Sequence, residues 1–100
     1  MTATFRITPR AHEDLKNIGR YTVKTWGKEQ RDRYLESIDK RFSWLAENPL
    51  SGRYRTEIKE GYYSYLQGSH VIFYMVRNGG IDIIGIPHQQ MDIAGYFTAH

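Results

Sequence analysis

The sequence has no cysteine and no long hydrophobic segment. The absence of cysteine excludes a disulfide scaffold, a zinc finger and a thiol nucleophile. The longest apolar run, Val71–Val76, is far shorter than the ~18 residues of a membrane span. The first residues, Met1–Arg6, lack the apolar region of a signal peptide. We therefore expect a protein that does not enter a membrane and stays in the cytoplasm.

The motifs of common enzyme sites are also missing. Gly79–Gly80 is typical of a hairpin turn rather than of a phosphate-binding loop, and no Ser-His-Asp or paired-carboxylate pattern stands out. His88 and Asp92 are spaced like residues on one helical turn, but two ligands are too few for a catalytic metal site. We predict one domain, residues 1–100, with little room for an enclosed active site. No metal, cofactor or small-molecule substrate is expected.

Acidic residues do not fully balance the basic ones, and the formal net charge is +3. Residues 1–50 hold ten Lys or Arg against seven Asp or Glu, whereas residues 51–100 hold four of each. The excess therefore lies in the first half of the chain. A mild surplus with mixed signs is a weak signal for nucleic acid, and it suits an acidic protein partner at least as well.

The first half predicts a strand followed by two amphipathic helices. After the alternating stretch Thr4–Ile7, Thr8–Pro9 supplies an N-cap and a first helical residue. Gly27 ends this helix, and a second helix runs from near Lys28 to Asn48–Pro49. The connection is so short that the helices must form an antiparallel hairpin. The predicted apolar faces are Ala11, Leu15, Ile18, Thr22 and Trp26, then Tyr34, Leu35, Ile38, Phe42, Leu45 and Ala46.

The second half changes to the two-residue period of β-strands. Strands are predicted at Tyr62–Leu66, His70–Val76 and Ile81–Ile86, with turns at Gln67–Ser69 and Asn78–Gly80. The predicted fold class is α+β, in the order β-α-α-β-β-β. An antiparallel helical hairpin would pack on one face of an antiparallel sheet.

Local strings of residues support this order of elements. They are Ala11-x-x-Asp14-Leu15-x-x-Ile18, Trp26-Gly27, Tyr34-x-x-x-Ile38-x-x-x-Phe42-x-x-Leu45-Ala46-x-x-Pro49, Gly52-Arg53-x-Arg55, His70-Val71-Ile72-Phe73-Tyr74 and Ile83-x-x-Ile86-x-His88-x-x-x-Asp92. Taken in order, these strings make the chain resemble the ParE branch of the RelE/ParE toxin superfamily. Each string alone is weak, because most of its positions are core positions.

The resemblance implies a fold, a partner and an activity. The fold is the one just predicted. The partner is a ParD-like antitoxin, whose flexible C-terminal segment folds over the toxin to give a hetero-oligomer. The activity is inhibition of DNA gyrase, which traps cleaved DNA without any chemistry by the toxin itself.

Two other functions stay open at this point. The sister branch, typified by RelE, cleaves mRNA on the ribosome, which requires a base, an acid and a cation for the phosphate. Arg53, Arg55, His88 and nearby tyrosines supply those residue types. An endoribonuclease is therefore the second hypothesis, and an inactive binding module with the toxin fold is the third.

We predict that interaction, not catalysis, involves Arg53, Arg55 and His88. The two arginines point to the same side if their segment is extended, so they can hold a carboxylate or a phosphate. Alternatively, Arg53 and Arg55 pair within the chain with Glu57 and Glu60. His88 is interpreted as a structural histidine at the end of the sheet, as a binding residue, or as a catalytic one.

The C-terminal segment supplies the remaining candidates, Asp92, Tyr96 and Phe97. This segment is rather apolar, and it either closes over the sheet or remains free for a partner. Trp44 falls off the apolar face of the second helix, so its indole is expected either at a protein interface or in packing at the rim of the core.

Overall fold

The computed structural model describes residues 3–98. The strands are β1 (Thr4–Ile7), β2 (Arg53–Tyr54), β3 (Tyr62–Gln67), β4 (His70–Arg77) and β5 (Gly80–Gly85). The helices are α1 (Pro9–Trp26), α2 (Lys28–Glu47) and α3 (Ile93–Thr98), with a 3₁₀ turn at Pro49–Ser51. Within this part of the chain, no helix is both long and apolar enough to cross a membrane.

The strands form one sheet in the order β1-β5-β4-β3-β2. The predicted fold class and the order of its main elements are confirmed, with one correction to the sheet. Strands β2 to β5 pair antiparallel as expected, but β1 pairs parallel with β5. The sheet is therefore mixed. The chain passes through the helical hairpin and strands β2 to β4 before β5 pairs with β1. The two-residue strand β2 and helix α3 were not predicted.

The ends of the helices follow the predicted signals. The side chain of Thr8 accepts a hydrogen bond from the amide of Ala11 at the start of α1, and Pro9 occupies a position where no amide is needed. Gly27 separates the helices with a φ of 93°, in a region of backbone conformation that favours glycine. The chain therefore reverses within one residue and forms the predicted hairpin.

The core lies between the helical hairpin and one face of the sheet. Phe5 of β1 packs edge to face against Phe42 of α2, with ring centroids 5.3 Å apart. A fully buried side chain such as that of Phe42 contributes roughly 1.5–3 kcal/mol to folding. The buried apolar residues are Ala11, Ile18, Ile38, Phe42, Leu45 and Ala46 from the helices and Ile72, Tyr74, Ile81, Ile83 and Ile86 from the second half.

The prediction that Trp26 belongs to the core is wrong, because its side chain is 70% exposed. Trp26 is the last residue of α1, and the chain reverses immediately beyond it. The helical spacing continues to Trp26, but no layer of the fold lies above that position. Trp44 is 39% exposed and packs against Tyr65 and Arg41, which agrees with packing at the rim.

The opposite face of the sheet, here called the open face, carries charged residues at one side and aromatic residues at the other. Asp82 forms ion pairs with Arg6 at 2.9 Å and with Arg77 at 2.8 Å. The hydrogen bond from Arg6 is the main reason that the pKa of Asp82 lies below its usual value. Tyr62 and Phe73 lie on the same face and contact α3.

Tyr74 connects the core to the loop that leads into β2. Its buried hydroxyl donates to the carbonyl oxygen of Pro49 at 2.8 Å and accepts from the amide of Gly52 at 3.0 Å. A side chain at Gly52 would collide with this hydroxyl and with the carbonyl oxygen of Ser64. Tyr74 and Gly52 together therefore fix where the chain enters the strand that begins with Arg53.

We predict that Tyr74→Phe lowers the free energy of unfolding by about 1–2 kcal/mol, because a partly buried carbonyl and a partly buried amide lose their partner. Chemical denaturation measures this change. The control is Tyr21→Phe, since the Tyr21 side chain is 65% exposed and its loss of a hydroxyl should change little. Equal stability of the two variants would contradict the prediction.

Candidate functional site

The six predicted site residues lie on two surfaces rather than at one point. Arg55, Asp92 and Phe97 line a depression of about 480 Å³ beside the open face. His88 and Tyr96 line a separate groove of about 380 Å³ along α1. Arg53 is exposed in β2, and its pairing with Ser64 places it on the open face.

Arg55 is held within the chain, which agrees with one of the two predicted alternatives. Its Nε donates to Glu57 at 2.6 Å and its Nη1 donates to Ser64 at 3.1 Å. The hydrogen bond from Arg55 is also the main reason that the pKa of Glu57 is lowered. The guanidinium lies 5.5 Å from the centre of the Phe73 ring. Arg55 is therefore a fixed cation, whereas Arg53 has no ion-pair partner within residues 3–98.

The C-terminal segment closes over the open face. Phe97 packs edge-on against Phe73, with ring centroids 4.9 Å apart, and it also contacts Tyr62 at 5.2 Å. The sequence left open whether this segment is docked or free, and the structure places it on the sheet as α3. The rings that α3 covers are therefore not available to a partner while the helix is docked.

Asp14 joins three parts of the fold, although its position in Ala11-x-x-Asp14-Leu15-x-x-Ile18 did not predict this role. One carboxylate oxygen of Asp14 accepts from the amide of Ile86 at 2.8 Å and from the hydroxyl of Tyr96. Burial, followed by the contact with Asp14, raises the pKa of the Tyr96 hydroxyl. Arg10 lies 3.8 Å from the centre of the Tyr96 ring and donates to the carbonyl oxygen of Tyr96. These contacts attach α3 and the end of β5 to α1.

His88 is positioned by backbone pairing beyond β5. The amide of Val71 donates to the carbonyl of Pro87 at 2.9 Å, and the amide of Gln89 donates to the carbonyl of Ser69 at 2.8 Å. This pairing forms a β-bridge between His70 and His88 and brings their rings edge to face, with centroids 5.2 Å apart.

His70 has a strongly perturbed pKa. Burial is the main cause, and the neighbouring His88 adds to it, so the pKa of His70 falls to about 4, although Asp14 acts in the opposite direction. His70 is therefore neutral at pH 7, and its Nδ1 can accept a hydrogen bond. The hydroxyl of Tyr34 lies 2.6 Å from that nitrogen. Burial also raises the pKa of Tyr34, which keeps its hydroxyl protonated.

The two histidines form the wall shared by two adjoining cavities. The first is the 380 Å³ groove beside α1, and the second, of about 290 Å³, continues toward the helical junction. We call the combined surface the histidine groove. Its main walls are Tyr21, Trp26, His70, His88, Met91 and Tyr96.

His70, Tyr21 and Met91 also line this groove, and they were not predicted as site residues. His70 and His88 stand at the open end of the predicted β4–β5 hairpin, but the register shift that pairs them has no local signal. Tyr21 stands outside the predicted apolar face of α1, and that position was the available signal for an exposed aromatic residue.

The residues predicted for phosphodiester cleavage lie on two separate surfaces. The histidines lie in one groove, and none of the described residues that line it is Lys or Arg. Arg53 and Arg55 lie on the other surface. A base, an acid and a phosphate-binding cation do not surround one point. Among residues 3–98, no group of three or more potential ligands could hold a metal ion.

Comparison with known proteins agrees with this fold. A family model described as "ParE toxin of type II toxin-antitoxin system, parDE" matches residues 5–93. Toxin ParE1 of Mycobacterium tuberculosis is 35% identical over 94 residues, which cover 93% of this chain and 96% of that protein. Toxin ParE1 of Caulobacter vibrioides is 34% identical over 88 residues, which cover 88% and 91%.

Two solved structures share the architecture. A chain of the chromosomal ParDE TA system from P. aeruginosa superposes with a TM-score of 0.74 and 21% identity, covering 87% of this chain and 96% of that one. A chain of the YoeB dimer from Staphylococcus aureus gives 0.59 and 18% identity, with coverage of 88% and 98%. The fold is therefore that of the RelE/ParE toxins. The match to the family model and to both relatives shows that the chain belongs to the ParE toxin family of type II toxin–antitoxin systems.

We predict that His70 makes stability depend on pH. The pKa of His70 is about 4 in the folded protein and about 6.5 in an unfolded chain. The unfolded state therefore binds the proton first as pH falls, so the contribution is fully present above pH 6.5 and is lost toward pH 4. Because His70 is only half-buried, we expect a loss of about 1–2 kcal/mol.

Denaturation of wild-type protein and His70→Gln between pH 7 and pH 4 measures this effect. The variant should lose less stability over that range than the wild type. His12→Gln is the control, because His12 is exposed on α1. Identical pH dependence in wild type and His70→Gln would show that His70 does not titrate as described.

Proposed function

We propose that this protein is a toxin that inhibits DNA gyrase by binding, and that a ParD-like antitoxin neutralises it in the cytoplasm. The observation that carries the proposal is the family match across residues 5–93, together with relatives named Toxin ParE1 that align over nearly their whole length. The toxin would act by stabilising the cleaved DNA complex of gyrase, with no reaction performed by its own side chains.

The separation of the reactive groups supports binding over catalysis. His70 and His88 are 5.2 Å apart between ring centroids, but no described Lys or Arg lines their groove. The guanidinium of Arg55 is already bonded to Glu57 and Ser64. Stabilising a phosphorane-like transition state requires positive charge at the reacting phosphate, and this arrangement does not supply it near the histidines.

Arg53 is the cation best suited to contact the target. Its side chain is exposed on the open face at the end of the sheet, and it makes no ion pair within residues 3–98. A guanidinium in this state can bind a carboxylate of gyrase or a phosphate of its DNA through two parallel hydrogen bonds. Arg55 lies two residues further along the same segment and adds positive charge without leaving its internal partners.

One observation favours the endoribonuclease as a second candidate. His88 lies against another histidine at the edge of an open groove, which the binding-only hypothesis did not predict. Under that alternative, His88→Ala abolishes mRNA cleavage in a translating extract and leaves the fold intact. Absence of cleavage by the wild-type protein at saturating dose eliminates this candidate.

We predict that Arg53→Ala raises the toxin concentration needed for half-inhibition of gyrase supercoiling by about tenfold, because it removes a charge-assisted contact. Arg53 is preferred to Arg55 for this test, since removing Arg55 would also break its internal contacts. The assay contains purified gyrase, relaxed plasmid, ATP and toxin, with accumulation of cleaved DNA as a second readout.

The matched control is Arg33→Ala. In the wild type, the Arg33 guanidinium is exposed on α2 and pairs with Glu29. This variant should inhibit gyrase like the wild type. Gyrase that remains fully active with saturating wild-type toxin would refute the proposed target. Normal growth of cells that express the toxin alone would instead indicate an inactive binding module.

A further inference from the structure

We propose that the outer surface of the helical hairpin binds the phosphate backbone of DNA, and that the toxin uses it to contact the DNA held by gyrase. This surface, here called the basic stripe, consists of Lys16, Arg20 and Lys24 of α1 and Arg31 of α2. The inference rests on the proposed function for the presence of gyrase, but the choice of surface comes from the positions and the pairing of these cations.

Three cations follow one line along α1. Lys16, Arg20 and Lys24 are four residues apart, and all three are exposed. Side chains at this spacing lie on one side of a helix, about 6 Å apart along its axis at 1.5 Å per residue. The buried residues of α1 occupy other positions of the helix. The three cations therefore form a ridge of regular spacing that faces solvent.

Arg31 joins this ridge from the second helix. Together with Lys16 and Arg20 it lines a shallow depression of about 480 Å³ between the two helices. Gly19 has no side chain, and a Cβ added there would lie 3.8 Å from the Cδ of Arg31, so the stem of Arg31 packs close to α1. Among the described residues that line this depression, Asp32 is the only acidic one.

The stripe remains positive after its internal ion pairs are counted. Two of its four cations have a carboxylate partner: Lys16 pairs with Glu13 at 3.8 Å, and Arg31 pairs with Asp32 at 3.0 Å. Arg20 and Lys24 form no ion pair in the part of the chain that the structure describes. Arg20 donates a hydrogen bond to the neutral side chain of Asn17 at 3.1 Å. Four cations and two carboxylates leave a formal charge of +2 on this surface.

The composition and the spacing of the stripe favour DNA over an acidic protein. Two of its four residues are lysine, a residue type that protein interfaces contain less often than the rest of the surface. Lys and Arg side chains supply most of the affinity for a phosphate backbone without reading its sequence. The phosphates of one strand follow each other about every 3.4 Å along a duplex. The roughly 12 Å from Lys16 to Lys24 therefore spans three to four nucleotides.

A second copy of this chain and a lipid surface fit the stripe less well than DNA. In a symmetric dimer the stripe would face itself and bring like charges together, which is unfavourable. A helix that binds a membrane surface combines its cations with an apolar face that carries Trp, Phe or Leu. The exposed Trp26 lines the histidine groove, whereas the stripe itself consists of charged side chains.

The direct test is the binding of free toxin to a short, labelled DNA duplex, measured by fluorescence anisotropy at several salt concentrations without gyrase. The variant is Arg20→Gln/Lys24→Gln, here called the stripe variant, which removes the two cations that have no ion pair. Its affinity should fall by at least about tenfold at low salt. The slope of the logarithm of the binding constant against the logarithm of the salt concentration should decrease by roughly 0.9 for each phosphate contact removed.

The matched control is Arg33→Gln/Lys40→Gln, which removes the same two residue types from the hairpin. Both cations are exposed on α2 and pair with Glu29 and Glu36 at 2.6 and 2.9 Å, and this variant should bind DNA almost like the wild type. Equal losses in the two variants would show that net charge alone determines binding and would overturn the proposal. Thermal unfolding checks that both variants are folded, as expected for exposed positions.

Three other results would also overturn the assignment of this surface to DNA. The first is a wild-type toxin that does not bind the duplex at low salt. The second is a stripe variant that binds the duplex normally but no longer binds purified gyrase without DNA, which would make the occupant a protein. The third is binding to vesicles of anionic lipid and not to the duplex.

The supercoiling assay separates this inference from the proposed target. A wild-type toxin that binds DNA through the stripe but leaves gyrase active would refute the target and not the DNA-binding surface. A stripe variant that has lost DNA binding but inhibits gyrase as well as the wild type would refute the use of the stripe in the gyrase complex. That second result would leave gyrase as the target.

Discussion

The carboxylate of Asp14 accepts hydrogen bonds from the amide of Ile86 and from the hydroxyl of Tyr96. These two donors belong to different parts of the chain, the segment that leaves β5 and the helix α3. Without this acceptor, a buried amide and a half-buried hydroxyl would both lack a partner. A six-residue helix is not stable in isolation, so α3 depends on contacts of this kind. One side chain thus holds the parts that define both candidate surfaces.

Parts of both candidate surfaces are positioned by these contacts of Asp14. The segment after Ile86 continues to His88, which pairs with the start of β4 and forms the wall of the histidine groove. On the open face, the same junction keeps Phe97 against Phe73, whereas the contacts of Tyr74 with Pro49 and Gly52 position the strand that begins with Arg53. A toxin that works by binding needs rigid surfaces more than reactive groups.

Local signals in the sequence predicted the elements well and their partners less well. Thr8, Pro9 and Gly27 marked the helix ends correctly because capping depends on neighbouring residues. The parallel pairing of β1 with β5 has no such signal, since the two strands are separated by most of the chain. His70 and His88 flank the predicted β4–β5 hairpin, but the register shift between Phe73 and Tyr74 that sets them opposite each other has no local signal. Trp26 kept the helical spacing but had nothing to pack against at the end of the hairpin.

Amide hydrogen exchange at Ile86, measured by NMR in wild type, Asp14→Ala and Asp14→Asn, tests most directly whether Asp14 holds this junction. In Asp14→Ala the Ile86 amide should exchange about ten- to thirtyfold faster, because it loses its acceptor while the core remains folded. Asp14→Asn should stay close to the wild type, since its amide oxygen can take the same position. Equal protection of Ile86 in Asp14→Ala and in the wild type would contradict the role assigned to this carboxylate.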